Sequence, residues 1–417
     1  MSEIEIPPYF ICPISLEIMK DPVTVPTGIT YDRDAIERWI FTRPDPTCPV
    51  TKQPIDPAHD PLIPNITLRR LIQSWCTLHA PDGFQRIPTP KAPFGKAELS
   101  KIIDQARRRT AGPQTRIKCL QNLRSIASQN QTNKRCMESA GAHEFLASLI
   151  IENAPRASSG AETSDDLSDS RKTCDEALAI LSGLELSNPG LKALARPELV
   201  MSLTLVMRLG SYESRAYAIA LLRSVLEAAD DSSLLTNLRP DLFIELRHTL
   251  DDQVSQKATK ETLKTLIVAC PWGRNRIKAV ESGLVPVLVE LLLDSFDKRV
   301  CEMMLTVLDL LCQCAEGRAG LLGHGAGLAV VSKKILRVSG HASERAVRIV
   351  SSVSRFCAGP GVLHEMVQVG VVSKLCLVVR VDCGLKTKER AREILRMHSK
   401  AWRDLPCLPR DLVSSSL

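Results

Sequence analysis

Aromatic residues make up only 4% of this 417-residue chain, and small and aliphatic residues supply its apolar mass. That balance suits stacked helices better than a β-sandwich, whose strands favour aromatic side chains. No apolar run reaches the roughly 18 residues that a membrane-spanning helix needs. The segment Met1 to Pro8 carries Glu3 and Glu5 and lacks the basic start and apolar stretch of a secretory signal. The 14 cysteines are scattered singly along the chain. Together these absences lead us to expect reduced thiols in the cytoplasm or nucleus, with peripheral membrane association as a further option and no membrane span.

What is present begins with an uneven charge. Residues 1–80 hold 7 Lys/Arg and 10 Asp/Glu, a balance of −3, so the remainder of a chain of net charge +7 carries +10. A basic array favours acidic partners or membrane surfaces. The plainer reading is a mixed solvated surface on many helices. Nucleic-acid binding would need cations clustered with aromatics. The aromatics after Gly95 are dispersed: Phe145, Tyr212, Tyr217, Phe243, Trp272, Phe296, Phe356 and Trp402.

Residues 5–79 read as one small mixed domain. Val23, Val25, Ile29 and Tyr31 alternate with polar residues around Pro26-Thr27-Gly28, which predicts a hairpin. A helix follows with Asp32 as its cap and Ala35, Ile36, Trp39 and Ile40 on one face. A Pro-rich loop runs from Pro44 to Pro64. A second helix opens near Asn65 and carries Leu68, Leu71, Ile72 and Trp75 at helical spacing. Residues 80–97, with Pro81, Pro88, Pro90 and Pro93, read as a semi-rigid linker separating two cores.

From residue 98 to 397 a loose repeat appears. Apolar pairs recur inside charged helices: Leu120/Leu123, Leu178/Leu181, Ile219/Leu222, Leu263/Leu266, Leu305/Leu308, Val347/Val350 and Ala391/Ile394. Their second members lie 58, 41, 44, 42, 42 and 44 residues apart. The long first interval contains residues 153–172, a Ser-, Asp- and Glu-rich insertion without helical periodicity that reads as disordered. Small breakers precede aliphatic helices at Ala140-Gly141, Ser282-Gly283 and Val369-Gly370. A period of about 40–47 with two or three helices is the signature of armadillo-type solenoids, in which neighbouring units bury each other's faces. Residues 398–417 read as a C-terminal tail. Asn275, with Arg274 and Arg276, is placed either on the concave surface of such an array or at a solvated helix end.

Two segments carry the chemistry: Cys12-Pro13-Ile14-Ser15 and Cys48-Pro49-Val50-Thr51. Each looks like half of a zinc knuckle whose second thiol has become a hydroxyl. A cross-braced pair of zinc sites needs about eight Cys/His ligands. Residues 1–80 offer only Cys12, Cys48, Cys76, His59 and His79, so the zinc reading fails by counting. Hydrogen bonds and ion pairs among Ser15, Glu17, Asp21, Arg33, Asp34, Thr51 and Lys52 must then hold the shape. Cys12 reads as a buried structural thiol, not a nucleophile.

These segments, with the rest of the run Tyr9 to Val23, Thr27-Gly-Ile-Thr-Tyr-Asp32, Ile36-Glu-Arg-Trp-Ile40, Thr47 to Lys52 and Pro64-Asn-Ile-Thr-Leu68, resemble a U-box in the right order. With the linker and the helical repeats, the chain is similar to the plant U-box/armadillo ubiquitin ligases with a short N-terminal leader. The resemblance implies a small α+β, zinc-free RING-like domain followed by an all-α, right-handed armadillo solenoid. It implies a ligase without cofactor or covalent intermediate. Such a domain docks a ubiquitin-conjugating enzyme charged with ubiquitin and promotes attack by a substrate lysine through proximity. The family's docking groove maps onto Ile14, Leu16, Trp39 and Pro49. Its bracing cation maps onto Lys52, although lysine lacks the bidentate fork of arginine. Cys12, Ser15, Asp21, Tyr31, Cys48, Thr51 and Asn65 take structural roles. The array is expected to select protein substrates, in stress or immune signalling, and self-association is a further expectation.

Thr89-Pro90 is the chain's lone Ser/Thr-Pro pair and marks a phosphorylation candidate in the linker. The insertion from Ser158 to Ser170 is a weaker one. The competing reading is an armadillo adaptor with an inactive U-box, against which the intact Ile14, Leu16, Trp39 and Pro49 speak.

Overall fold

The computed structural model describes residues 5–41, 46–56, 62–89, 94–108, 112–155, 164–230, 232–253, 255–403 and 405. The chain divides into two compact units, Met1–Ile102 with Asn122–Ala140, and Ile103–Gln121 with Gly141–Leu417.

The first unit is built on a short hairpin. Strand β1 (Pro22–Thr24) pairs antiparallel with β2 (Thr30–Asp32) in the register Val23↔Tyr31. Gly28 closes the turn at φ 82°, a left-handed conformation that a side chain disfavours. Helix α1 (Arg33–Phe41) follows directly. A third strand, β3 (Ile63–Pro64), pairs with the other edge of β1 and was not legible in the Pro-rich loop. Asn65 then caps helix α2 (Ile66–Leu78), its side chain accepting the Leu68 N–H. Phe10, Met19, Val23, Tyr31, Ile36 and Ile72 form the common core.

Two details depart from expectation. Leu71 is exposed, because it sits at the outer limit of the apolar arc centred on Ile72. Asp32 does not cap α1. Its carboxylate accepts the Lys20 and Asp21 N–H groups at 2.7 and 2.9 Å.

Linker residues 80–89 are not an open spacer but pack on α2, and residues 90–93 lie outside the described residues. Phe84 and His79 pack on Trp75, and Gln73 Nε2 donates to the Ile87 carbonyl and the Thr89 hydroxyl, each at 3.2 Å. Helices α3 (Lys96–Arg107), α4 (Pro113–Ala127) and α5 (Gln131–Ser139) follow. Within the first unit, Thr132 of α5 donates to Glu37 of α1 at 2.6 Å, and Phe94 N–H donates to Asn133 at 2.9 Å.

The second unit continues with α6 (Ala142–Asn153) and α7 (Ser164–Gly183), then five helix triplets. These are α8 (Asn188–Ala193), α9 (Pro197–Leu209) and α10 (Tyr212–Ala228); α11 (Ser232–Thr236), α12 (Pro240–Asp251) and α13 (Gln256–Ala269); α14 (Gly273–Glu281), α15 (Leu284–Asp294) and α16 (Lys298–Leu311); α17 (Ala315–Gly323), α18 (Gly327–Lys334) and α19 (Gly340–Phe356); and α20 (Pro360–Gln368), α21 (Val371–Arg380) and α22 (Leu385–Met397). Second helices stack on second helices and third on third along the unit. Every apolar pair read from the repeat is buried and falls on a third-type helix, α4, α7, α10, α13, α16, α19 or α22. The breakers Gly141, Gly283 and Gly370 sit at φ 77°, 82° and 77°, turning the chain from first to second helix. No single described helix is long and apolar enough to cross a membrane.

Three expectations need correction here. Residues 164–172 of the supposed disordered insertion form the first turns of α7, where Gln114 bonds Asp169 at 3.2 Å. Residues 156–163, including Ser158, lie outside the described residues. Asn275 is neither on a concave surface nor at a solvated end. It is fully buried and donates to the carbonyls of Leu235 and Ala269 at 2.6 and 3.0 Å. The tail begins later than residue 398, since Trp402 is 1% exposed and its indole N–H reaches the Leu363 carbonyl. Residues 406–417 lie outside the described residues.

Candidate functional site

The two Cys-Pro segments fold into matching knuckles. In the first, Leu16 N–H donates to the Cys12 carbonyl and Cys12 N–H to the Glu17 carbonyl, both at 2.9 Å. In the second, Lys52 N–H donates to the Cys48 carbonyl at 2.9 Å and Cys48 N–H to the Gln53 carbonyl at 2.8 Å. An isolated antiparallel bridge closes each, Ile11↔Ile18 and Thr47↔Pro54. The fourth residue after each cysteine is left-handed, Leu16 at φ 58° and Lys52 at φ 59°.

Consecutive residues of β2 brace both knuckles. Asp32 N–H donates to the Cys12 sulfur at 3.3 Å. The Tyr31 hydroxyl meets the Cys48 sulfur at 3.2 Å and accepts the Val50 N–H at 3.3 Å. Trp39 on α1 joins from the side, its indole N–H donating to the Thr47 carbonyl at 2.8 Å. Positions that a metal would bridge are thus held by hydrogen bonds to buried sulfur.

The Cys48 thiol is the electrostatic centre of this arrangement. Burial pushes it up, but donors from Thr27, Thr51 and Tyr31 outweigh that and bring it down to about 6. Burial holds the Tyr31 hydroxyl well above its ordinary range, so it stays protonated as a donor. Burial also raises the Asp32 carboxyl despite the two amides that it accepts.

Ion pairs complete the brace. Asp21 binds Arg33 at 2.6 Å and Arg69 at 3.4 Å, and Arg33 reaches the buried Glu37 at 3.6 Å. Of the network residues expected from sequence, Asp21, Arg33 and Thr51 lie in it. Ser15, Glu17 and Asp34 are exposed, and Glu17 contributes its carbonyl alone. Arg69, Glu37 and Thr27 went unnoticed, because only the fold brings them to the knuckles.

The docking candidates separate into two kinds. Ile14 and Trp39 are partly buried and pack on the core. Leu16 is 76% exposed, and Pro49 is half-buried beside Val50, which is 52% exposed and escaped the sequence reading. Val50 occupies the place in its knuckle that Ile14 has in the other, so the internal match could have found it. Lys52 is exposed, and its ammonium donates to the Pro49 carbonyl at 2.8 Å.

A small domain of two hydrogen-bonded knuckles ahead of a helical-triplet array defines the class of U-box proteins with armadillo repeats. The U-box domain family matches residues 6–80, and the plant U-box protein ARM repeat region matches residues 98–417. The E3 ubiquitin-protein ligase PUB23 of Arabidopsis thaliana is 54% identical, covering 99% of this chain and 97% of the relative. The E3 ubiquitin-protein ligase PUB22 of the same plant is 51% identical, with 99% of both chains covered. A solved structure concerned with the interaction between cadherin and beta-catenin superposes with TM-score 0.57 at 14% identity, over 82% of this chain and 61% of that one. The chain belongs to the plant U-box/armadillo-repeat family and is an E3 ubiquitin-protein ligase, a ubiquitin transferase.

Proposed function

We propose that Leu16, Pro49 and Val50, backed by Ile14 and Trp39, form the ridge on which a ubiquitin-conjugating enzyme docks. One observation carries this reading. Leu16 combines a left-handed backbone with a side chain that is 76% exposed. A leucine there costs about 1 kcal/mol or more in backbone strain and gains little burial in return. A surface leucine held at such a cost makes sense as an anchor for a partner. Transfer then proceeds from the docked enzyme to a lysine by proximity, with neither knuckle cysteine acting, since both sulfurs are buried. Lys52 is proposed to brace the partner from the second knuckle. The armadillo array selects the protein substrate, in cytoplasmic stress or defence signalling. Thr89 is proposed as a phosphorylation site that would break its contact with Gln73.

Leu16→Gly tests the ridge cleanly. Glycine relieves the backbone strain, so the variant should fold at least as well as the parent. It should also lose most ubiquitin chain formation in a purified reaction. Full activity in Leu16→Gly would sink the assignment.

A further inference from the structure

The positive charge of the chain is concentrated at one end. Residues 326–403 hold 15 Lys/Arg against 5 Asp/Glu, a balance of +10, so the remainder is −3.

Exposed apolar side chains lie on that end and in the repeat before it. Helices α15, α18 and α21 stack as one layer, and α16, α19 and α22 as another. The three loops joining the layers therefore follow one another along one edge. Each loop presents an apolar tip among cations. Phe296 is 96% exposed beside Lys298 and Arg299. Leu336 is 38% exposed beside Lys333 and Arg337. Leu385 is 77% exposed, with Val381, Arg380 and Lys386 around it. Lys334 ties the first two loops together by donating to the Ser295 carbonyl at 3.0 Å. Leu336 is held at φ 59° with its N–H donated to Ser343. Acids on this edge include Asp294, Asp297, Glu302 and Asp382; Asp297 is engaged by Lys260 and by the first turn of α16, and Glu302 accepts the Ser339 hydroxyl at 2.5 Å.

The tips are spread along three successive loops with Lys or Arg beside each. Separate apolar tips standing among cations match a fluid, anionic surface. The tips enter the acyl region while Lys and Arg meet the headgroups. We propose that this loop edge of the last three repeats is a peripheral binding surface for anionic lipid bilayers.

The test is sedimentation of the full chain with vesicles of phosphatidylcholine, with and without phosphatidylserine. Binding is expected only with phosphatidylserine, and raised salt should weaken it. Phe296→Ser with Leu385→Ser, and separately Arg337→Glu with Lys386→Glu, should each weaken binding about tenfold or more. These side chains are exposed, so self-ubiquitination without vesicles should not change. No binding to the charged vesicles, equal binding to neutral ones, or unaltered binding by either variant would overturn the proposal. Capture of acidic peptides without vesicle binding would also overturn it.

Discussion

The Tyr31 hydroxyl lies 3.2 Å from the Cys48 sulfur while accepting the Val50 N–H at 3.3 Å. This relay hands hydrogen-bond polarity from the second knuckle's backbone to its sulfur, in a domain with too few Cys and His for a cross-braced pair of zinc sites. The pH dependence follows from the sign of the shift. The folded thiol titrates near 6, against an ordinary 9.0 when unfolded. Its contribution to stability is fully present above about 9, declines as pH falls from there, and is lost once pH drops through about 6. Hydrogen exchange at the Val50 and Thr51 amides, corrected for intrinsic rates, should therefore show the second knuckle opening more readily at pH 6 than at pH 9. Cys48→Ser should flatten that dependence, and Tyr31→Phe should move its midpoint upward. A flat profile in the parent protein would mean that Cys48 is an ordinary neutral thiol.

Asp21 is shared by two guanidiniums, Arg33 at 2.6 Å and Arg69 at 3.4 Å, all three largely buried. Asp21→Ala leaves both cations without that carboxylate, in a site too dry to rehydrate them freely. The expected loss is about 2 kcal/mol, below the figure for a fully buried pair because water reaches these groups in part. Urea unfolding read at β1 and α2 would measure it, and Asp21→Asn should retain part of the stability. No loss in Asp21→Ala would show that the ion pairs do not hold the domain together.

Trp39 and Leu16 should fail in different ways. Trp39 packs on the core and donates to Thr47, so Trp39→Ala should cost about 3 kcal/mol and lose activity together with folding. Trp39→Phe keeps most of the packing and gives up the hydrogen bond. Thermal melts paired with discharge of ubiquitin from a charged conjugating enzyme separate the two cases. An active, fully stable Trp39→Ala would remove Trp39 from both roles.

The repeat and the knuckles were legible for one reason: each is a short local pattern copied along the chain. The paired apolar positions marked the third helices because burial against two neighbours permits little else there. Counting the Cys and His of residues 1–80 spoke against a cross-braced pair of zinc sites. Contacts that close over distance were not legible. Arg69 reaches Asp21 across 48 residues. β3 offers only Ile63 and Pro64, too few to alternate. Polarity misled at Asp169, Asn275 and Asp32, since a polar side chain can serve a buried or structural bond as well as solvent. At Val50 the signal existed, in the match between the knuckles, and went unread.

Asn275 shows what a buried amide does for an array. Its Nδ2 donates to Ala269, at the end of the preceding third helix, and to Leu235 one repeat earlier. Asn133 in α5 and Arg318 in α17 serve the same end of their preceding helices, bonding the carbonyls of Ile126 and Cys312 at 3.0 Å each. The role demands donors, which Asn and Arg share and an acid does not. Asn275→Ala should orphan two buried carbonyls at a cost of about 1–3 kcal/mol. Asn275→Asp should cost more, because it adds a buried charge whose nearest neighbours are carbonyl oxygens. Thermal melts of the array should place Asn275→Ala about 2–6 °C below the parent and Asn275→Asp lower still. Ubiquitin discharge at room temperature should be unchanged in both. If Asn275→Asp melts like the parent, the donor role fails and the asparagine is a filler of space alone.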